Sequence, residues 1–231
     1  MPAENAAPRT NLLVTSAEAL AAAIHTAAGA VTVDAALIPK PASRRGATPA
    51  PLALSRPLHM RIAIDRRLGF EASLDETIHP AVVAVLLGGV DRPQDVRDAD
   101  VALRRREMRT GLEPGTVRLV CEVGSALALR ALPGMIEAVD RHFAVALNTD
   151  ALAADLALPG PPGNHLALLE HAMAEVAISA RVARLPWLLL APTLDAGARS
   201  MLATRAHAHG AAGVYITGEP EAAGFNSLFS R

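Results

Sequence analysis

The chain of 231 residues is poor in several residue types, and each scarcity removes a class of function. It has a single cysteine, Cys121. That excludes an internal disulfide and any multi-cysteine zinc site, and makes a reducing, cytoplasmic setting the expectation. Lys40 is the only lysine, so nearly every cation is an arginine. A Schiff-base mechanism needs a lysine in the pocket, and this composition leaves almost none to supply one. The formal net charge of −1 offers neither a nucleic-acid surface nor a membrane surface. No apolar run is long enough to span a bilayer, and the first residues lack the basic-then-apolar pattern of a signal segment.

What is present is apolar. Hydrophobic residues make up 51% of the chain, enough for a sizeable core. Residues 1–10, rich in Ala and Pro, read as a loose tail, and 11–231 as one domain. Strand-forming runs fall at residues 11–15, 31–38, 58–65, 81–87, 117–125, 143–148, 187–191 and 213–217. Helical patterns fill most of the gaps. One is predicted over 17–28 behind the cap Ser16, and one from Pro93 to Met108 capped by Asp91. Others are predicted over 126–132, ending in a turn at Pro133-Gly134, and over 165–183 and 194–209. Residues 39–57, with Pro, Ser, Arg and Ala and no period, read as a long mobile loop or a docking segment.

Eight strand–helix alternations predict an α/β fold, a closed (β/α)8 TIM barrel. The alternative is a doubly wound open sheet, which carries a Gly-rich phosphate loop after its first strand when it binds a dinucleotide. Here that turn is Thr15-Ser16-Ala17-Glu18, so the barrel is favoured.

The stretch 117–125, VRLVCEVGS, sets the functional question. A buried parallel strand is continuously apolar, and a carboxylate inside it is costly unless paired or bound to a metal. Glu122 therefore reads either as a functional residue at the barrel mouth or as a strand-end glutamate facing water. Strand alternation puts Val120, Glu122 and Gly124 on one face and Cys121 on the other. The other polar residues at C-terminal strand ends are Asp34, Arg61 and Asp150. Two carboxylates suit a hard cation such as Mg²⁺, and Arg61 offers a planar fork to a substrate carboxylate or carbonyl. A metal and an arginine together can hold a 2-oxo acid and stabilise an enolate. Each of these residues alone can instead form a structural ion pair. His171 and Glu175, four apart, are a weaker metal candidate.

The motifs DRPQDV (91–96), RLVCEVGS (118–125) and NTDALAADL (148–156) resemble the HpcH/HpaI aldolase and citrate lyase β-subunit (CitE-like) family. MRIAID (60–65) and GAAGVYITGEP (210–220) are similar to its V-R-V-N strand and closing strand. The resemblance implies a TIM barrel of the phosphoenolpyruvate/pyruvate-domain type and a homo-oligomer. It implies Mg²⁺-dependent making or breaking of carbon–carbon bonds in 2-oxo acids or coenzyme A thioesters. Carried over by position, Arg61 is the catalytic, substrate-binding arginine and Asp34 a second substrate contact. Glu122 and Asp150 are the metal carboxylates. Aligned without a gap on A-A-D-L, however, the family's aspartate falls on Ala151, and Asp150 serves only after a one-residue shift. The family's lysine after strand four is absent from Leu87-Gly88-Gly89-Val90-Asp91, and its closing H-P is Glu219-Pro220. These departures set a second expectation beside the lyase: a degenerate barrel that acts as a binding or structural subunit.

Overall fold

A computed structural model describes residues 9–14, 23, 26, 28–34, 56–64, 82–160 and 165–230. Eight parallel strands close into a barrel in chain order. They are β1 (Thr10–Val14), β2 (Ala30–Asp34), β3 (Leu58–Ala63), β4 (Val82–Gly88), β5 (Arg118–Val123), β6 (His142–Asn148), β7 (Trp187–Leu190) and β8 (Gly213–Ile216). β8 closes on β1 through the pairs Thr10↔Val214, Asn11↔Tyr215 and Leu12↔Ile216. The predicted (β/α)8 barrel is therefore the fold. The predicted helix over 17–28, the 39–57 loop and the tail fall mostly or wholly outside the described residues.

The strands are buried on both faces, which is why they read as apolar runs. Inside the barrel Leu13, Leu86, Val120, Ala144, Ala146, Leu188, Leu190 and Tyr215 pack together. Outside it Cys121 and Val123 of β5 join the larger layer beneath the helices. The alternation predicted for β5 is thus present, with Cys121 as a small hydrophobe.

The helices are α1 (Pro93–Thr110), α2 (Ala126–Glu137), α3 (Thr149–Asp155), α4 (Leu166–Val182), α5 (Ala196–Ala208) and α6 (Ala222–Leu228). Two local expectations are corrected. The cap of α1 is Arg92, not Asp91, and Asp95 in the first turn reaches back to it: Asp95 Oδ2 accepts from the backbone N–H of Asp91 and Arg92 at 3.0 and 3.1 Å. Asp91 instead accepts the Ser125 hydroxyl at 2.5 Å, tying the start of α1 to the start of α2. And α2 does not end at Pro133-Gly134 but runs to Glu137 with Pro133 inside it. Burial of Leu132, Met135 and Ile136 outweighs the lost helix hydrogen bond. Gly134 leaves room for α1, since a Cβ there would stand 3.2 Å from Pro93 Cγ.

A buried ion cluster ties α1 to the lower end of the barrel. Glu107, fully buried, accepts from the backbone N–H of Gly115 at 2.8 Å and of Val117 at 2.7 Å. Arg141 donates to both Glu107 oxygens at 3.1 and 3.2 Å, to Asp100 at 2.5 Å and to Val117 O at 2.8 Å. Four of the five guanidinium N–H donors are used, on two carboxylates and a carbonyl, the kind of pairing under which a buried charge is tolerated.

Candidate active site

The C-terminal strand ends bring Asp34, Arg61 and Glu122 together. Asp34 and Arg61 are register partners on β2 and β3, so their side chains leave adjacent strands at one level. Arg61 reaches across β4 to Glu122 on β5. Its Nε donates to Glu122 Oε2 and its Nη2 to Glu122 Oε1, both at 2.8 Å, a bidentate fork. Its Nη1 donates to Asp34 Oδ2 at 3.1 Å. The pair lies flat against Gly88 of β4. A Cβ at Gly88 would stand 3.1 Å from Glu122 Oε2 and 3.4 Å from Arg61 Nη2, so the absence of a side chain there lets the two strands' charges meet.

Exposure grades across the triad. The Glu122 side chain is 3% exposed, Arg61 23% and Asp34 26%. Arg61 thus has a buried partner that fixes it and a half-exposed partner that can be displaced. Hydrogen bonding to Glu122 is the main cause holding the Arg61 guanidinium above its ordinary pKa. Burial opposes that shift, and the charges of Glu122 and Asp34 add to it.

Asn148 is a site residue that sequence reasoning passed over. Its Nδ2 donates to Glu122 Oε1 at 2.7 Å, while its Oδ1 accepts from Ala151 N at 3.0 Å and so caps α3. A strand-final asparagine before a helix is a cap signal; the second use, on Glu122, follows only from the barrel register. Tyr215 was missed as well. Its hydroxyl is buried inside the barrel with no hydrogen-bond partner among the described residues. Burial raises its pKa first, the Glu122 charge raises it further, and the Arg61 charge opposes.

Asp150 does not join this group. Its Oδ2 accepts from Thr193 N at 2.6 Å, bracing the loop after β7, and its Oδ1 is buried without a partner. The residue beside Glu122 is Ala151. A Cβ built on Gly124 would stand 3.0 Å from Ala151 Cβ and 3.9 Å from Glu122 Oε1. Of the two neighbouring positions, Asp150 is bonded to the loop after β7 and Ala151 packs over Gly124. His171 and Glu175 are an exposed surface pair, 3.9 Å apart.

Arg61 bonds both Glu122 and Asp34, so a guanidinium occupies the place between them that Mg²⁺ would need. Both Glu122 oxygens already accept hydrogen bonds, three in all, and Asp150 faces elsewhere. No group of three or more His, Cys, Asp or Glu side chains among the described residues is placed to hold a metal. The carboxylates as arranged do not fit a divalent ion.

Residues 60–214, well over half of the chain, match the HpcH/HpaI aldolase/citrate lyase family. The chain belongs to that family. No curated protein matches it. Solved structures share the fold at low identity. A citrate lyase from Burkholderia xenovorans LB400 superposes with a TM-score of 0.77 at 14% identity, covering 97% of this chain and 78% of its own. Mycobacterium tuberculosis CitE, solved with magnesium and acetate, gives 0.64 at 17%, covering 99% and 93%. Haloferax volcanii malate synthase in a pyruvate/acetyl-CoA complex gives 0.75 at 14%, covering 97% and 70%. Its family membership thus supports a lyase or aldolase class for this chain.

Proposed function

We propose that this family member is a carbon–carbon bond lyase or aldolase acting at the barrel mouth on a 2-oxo acid or an acyl-CoA thioester. The observation that carries the reading is Arg61: a partly exposed guanidinium at the strand ends, fixed by a buried fork and facing a displaceable carboxylate. In the proposed reaction a substrate oxygen takes Nη1 from Asp34, and the Glu122 fork keeps the arginine from following it. Cleavage of a 4-hydroxy-2-oxo acid breaks the C3–C4 bond and leaves its electron pair on the C2 oxygen as an enolate. Arg61 donates to that oxygen as charge develops. Asp34, released, takes the C4 hydroxyl proton as that carbon becomes the carbonyl of one product, and protonation of the enolate at C3 gives the other, a 2-oxo acid. The family's metal would supply Lewis-acid stabilisation of the same oxygen, but the carboxylates as arranged do not fit it.

A second reading has its own support. With Ala151 beside Glu122 and Arg61 satisfied on three nitrogens, the mouth also suits a binding or structural subunit. Homo-oligomer formation, with a small molecule as the ligand, belongs to either reading; the exposed Ile178 and Val182 on α4 support it. The single buried cysteine supports a cytoplasmic setting.

Exchange of pyruvate methyl protons in D2O, followed by ¹H NMR with and without Mg²⁺, tests the enzyme reading, because it reports enolisation without needing the natural substrate. Exchange above buffer that is lost in Arg61→Leu supports the lyase. No exchange, together with no cleavage of oxaloacetate or of a panel of acyl-CoA thioesters, turns the assignment to the binding subunit.

A further inference from the structure

The mouth contains charge enough to attract a cation and no place to coordinate one. Asp34 and Glu122 carry −1 each and Arg61 +1, a sum of −1. Yet Arg61 stands between the two carboxylates and bonds both, and three of the four lone pairs of Glu122 are taken. Oε1 of Glu122 receives Arg61 Nη2 and Asn148 Nδ2, and Oε2 receives Arg61 Nε. Asn148 cannot turn its own oxygen inward without uncapping α3, since that oxygen holds Ala151 N. The α3 residue nearest this group is Ala151, whose methyl packs over Gly124: a Cβ there would stand 3.0 Å from it and 3.9 Å from Glu122 Oε1. Asp150, one residue earlier, is committed to Thr193 N.

We infer that this mouth works without a divalent cation, with the Arg61 guanidinium held between Glu122 and Asp34 where a metal would have to sit, and the N–H donors of Arg61 and Asn148 on three of the four lone pairs of Glu122. The position that decides this is Ala151. The inference concerns the same mouth as the proposed lyase, but it is read by metal binding, so either can fail alone. A site of this kind takes its substrate oxygen on N–H donors. One carboxylate at position 151 would supply the missing ligand and give Glu122 a reason to exchange its hydrogen bonds for a metal.

The experiment is a Mn²⁺ titration followed by electron paramagnetic resonance, with Mg²⁺ calorimetry in parallel, on the full chain. Wild type, Ala151→Asp, Glu122→Gln and Ala151→Asp/Glu122→Gln are compared, each checked for a cooperative melt. The expected result is no stoichiometric Mn²⁺ site in the wild type, one site in Ala151→Asp at least tenfold tighter than any wild-type signal, and its loss in the double variant. A stoichiometric wild-type site that disappears in Glu122→Gln overturns the inference. So does a folded Ala151→Asp that binds no better than wild type, because the missing ligand would then not be the cause. If Ala151→Asp does not fold, the wild-type and Glu122→Gln arms decide between the same two outcomes.

Discussion

Replacing Glu122 by glutamine probes the centre of the site. From sequence, such a change would cost little stability, because Glu122 was expected to hold an exchangeable metal. The structure revises that. Glu122 is buried and accepts three hydrogen bonds, two of them from a guanidinium. Glutamine keeps one acceptor oxygen and turns an amide NH2 toward Arg61 or Asn148, so a donor faces a donor. Removing one partner of a buried ion pair costs ~3–5 kcal/mol. Arg61 retains Asp34 and some solvent, so we place the loss at about 2–3 kcal/mol. In a domain of this size ~1 kcal/mol corresponds to roughly 2–4 °C, so the melting point should fall by roughly 4–12 °C. Urea denaturation at pH 7 measures it, with an unchanged slope showing that the compactness of the two states is the same. The Arg61→Met/Glu122→Gln double variant should lose less than the sum of the single variants, by ~1 kcal/mol or more of coupling. A Glu122→Gln loss below ~0.5 kcal/mol, or strict additivity, would refute the view that the fork is structural as well as functional.

Three further outcomes are expected. Burial pushes His59 down to about 4 from an ordinary value of 6.5. Between these values the unfolded chain binds a proton that the folded chain does not. Stability is therefore full above the upper value and falls as pH drops through the window, by up to about 3 kcal/mol from this site. His59→Gln, which keeps an acceptor for Asn11 Nδ2, should flatten the fall in urea midpoint between pH 7 and pH 5; an unchanged profile would reject this source. Burial and the neighbouring Glu122 charge push the Cys121 thiol up to about 12, so a thiol reagent at pH 8 should label it only as fast as the chain unfolds, and prompt native labelling would show the β5 packing to be wrong. Arg141→Met leaves the buried Glu107 charge with only the backbone N–H of Gly115 and Val117, while Asp100 keeps Arg104, and should cost ~3–5 kcal/mol in chemical denaturation; a cost near zero would mean the cluster is open to water.

The fold was legible because a strand buried on both faces is written as an unbroken apolar run, and eight such runs separated by helices leave few topologies. Glu122 was legible as an anomaly, a carboxylate in such a run. Its partners were not. Arg61 lies 61 positions away and Asn148 26, and only barrel closure sets which strand ends share a level. The difference between Asp150 and Ala151 is one residue of phase at the start of α3, where Asn148 caps Ala151 N and Asp150 accepts from Thr193 N. Likewise Pro133 reads as a stop in sequence, yet the apolar face of α2 carries the helix through it. Local signals lose wherever burial or a distant partner is worth more than the local preference.

The Glu107 carboxylate works as a datum for the mouth. It grips the backbone N–H of Gly115 and Val117 just where β5 is about to start, on the side of the barrel opposite the site. From Val117 to Glu122 the strand is a stiff rod of roughly 16 Å at ~3.3 Å per residue. Where the rod is clamped at its foot therefore sets how high its tip stands against Arg61, and a fork with two contacts at 2.8 Å has little tolerance for a shift along the strand. Errors made at the base of the barrel would thus be felt as misalignment at the top, without any residue of the site being changed.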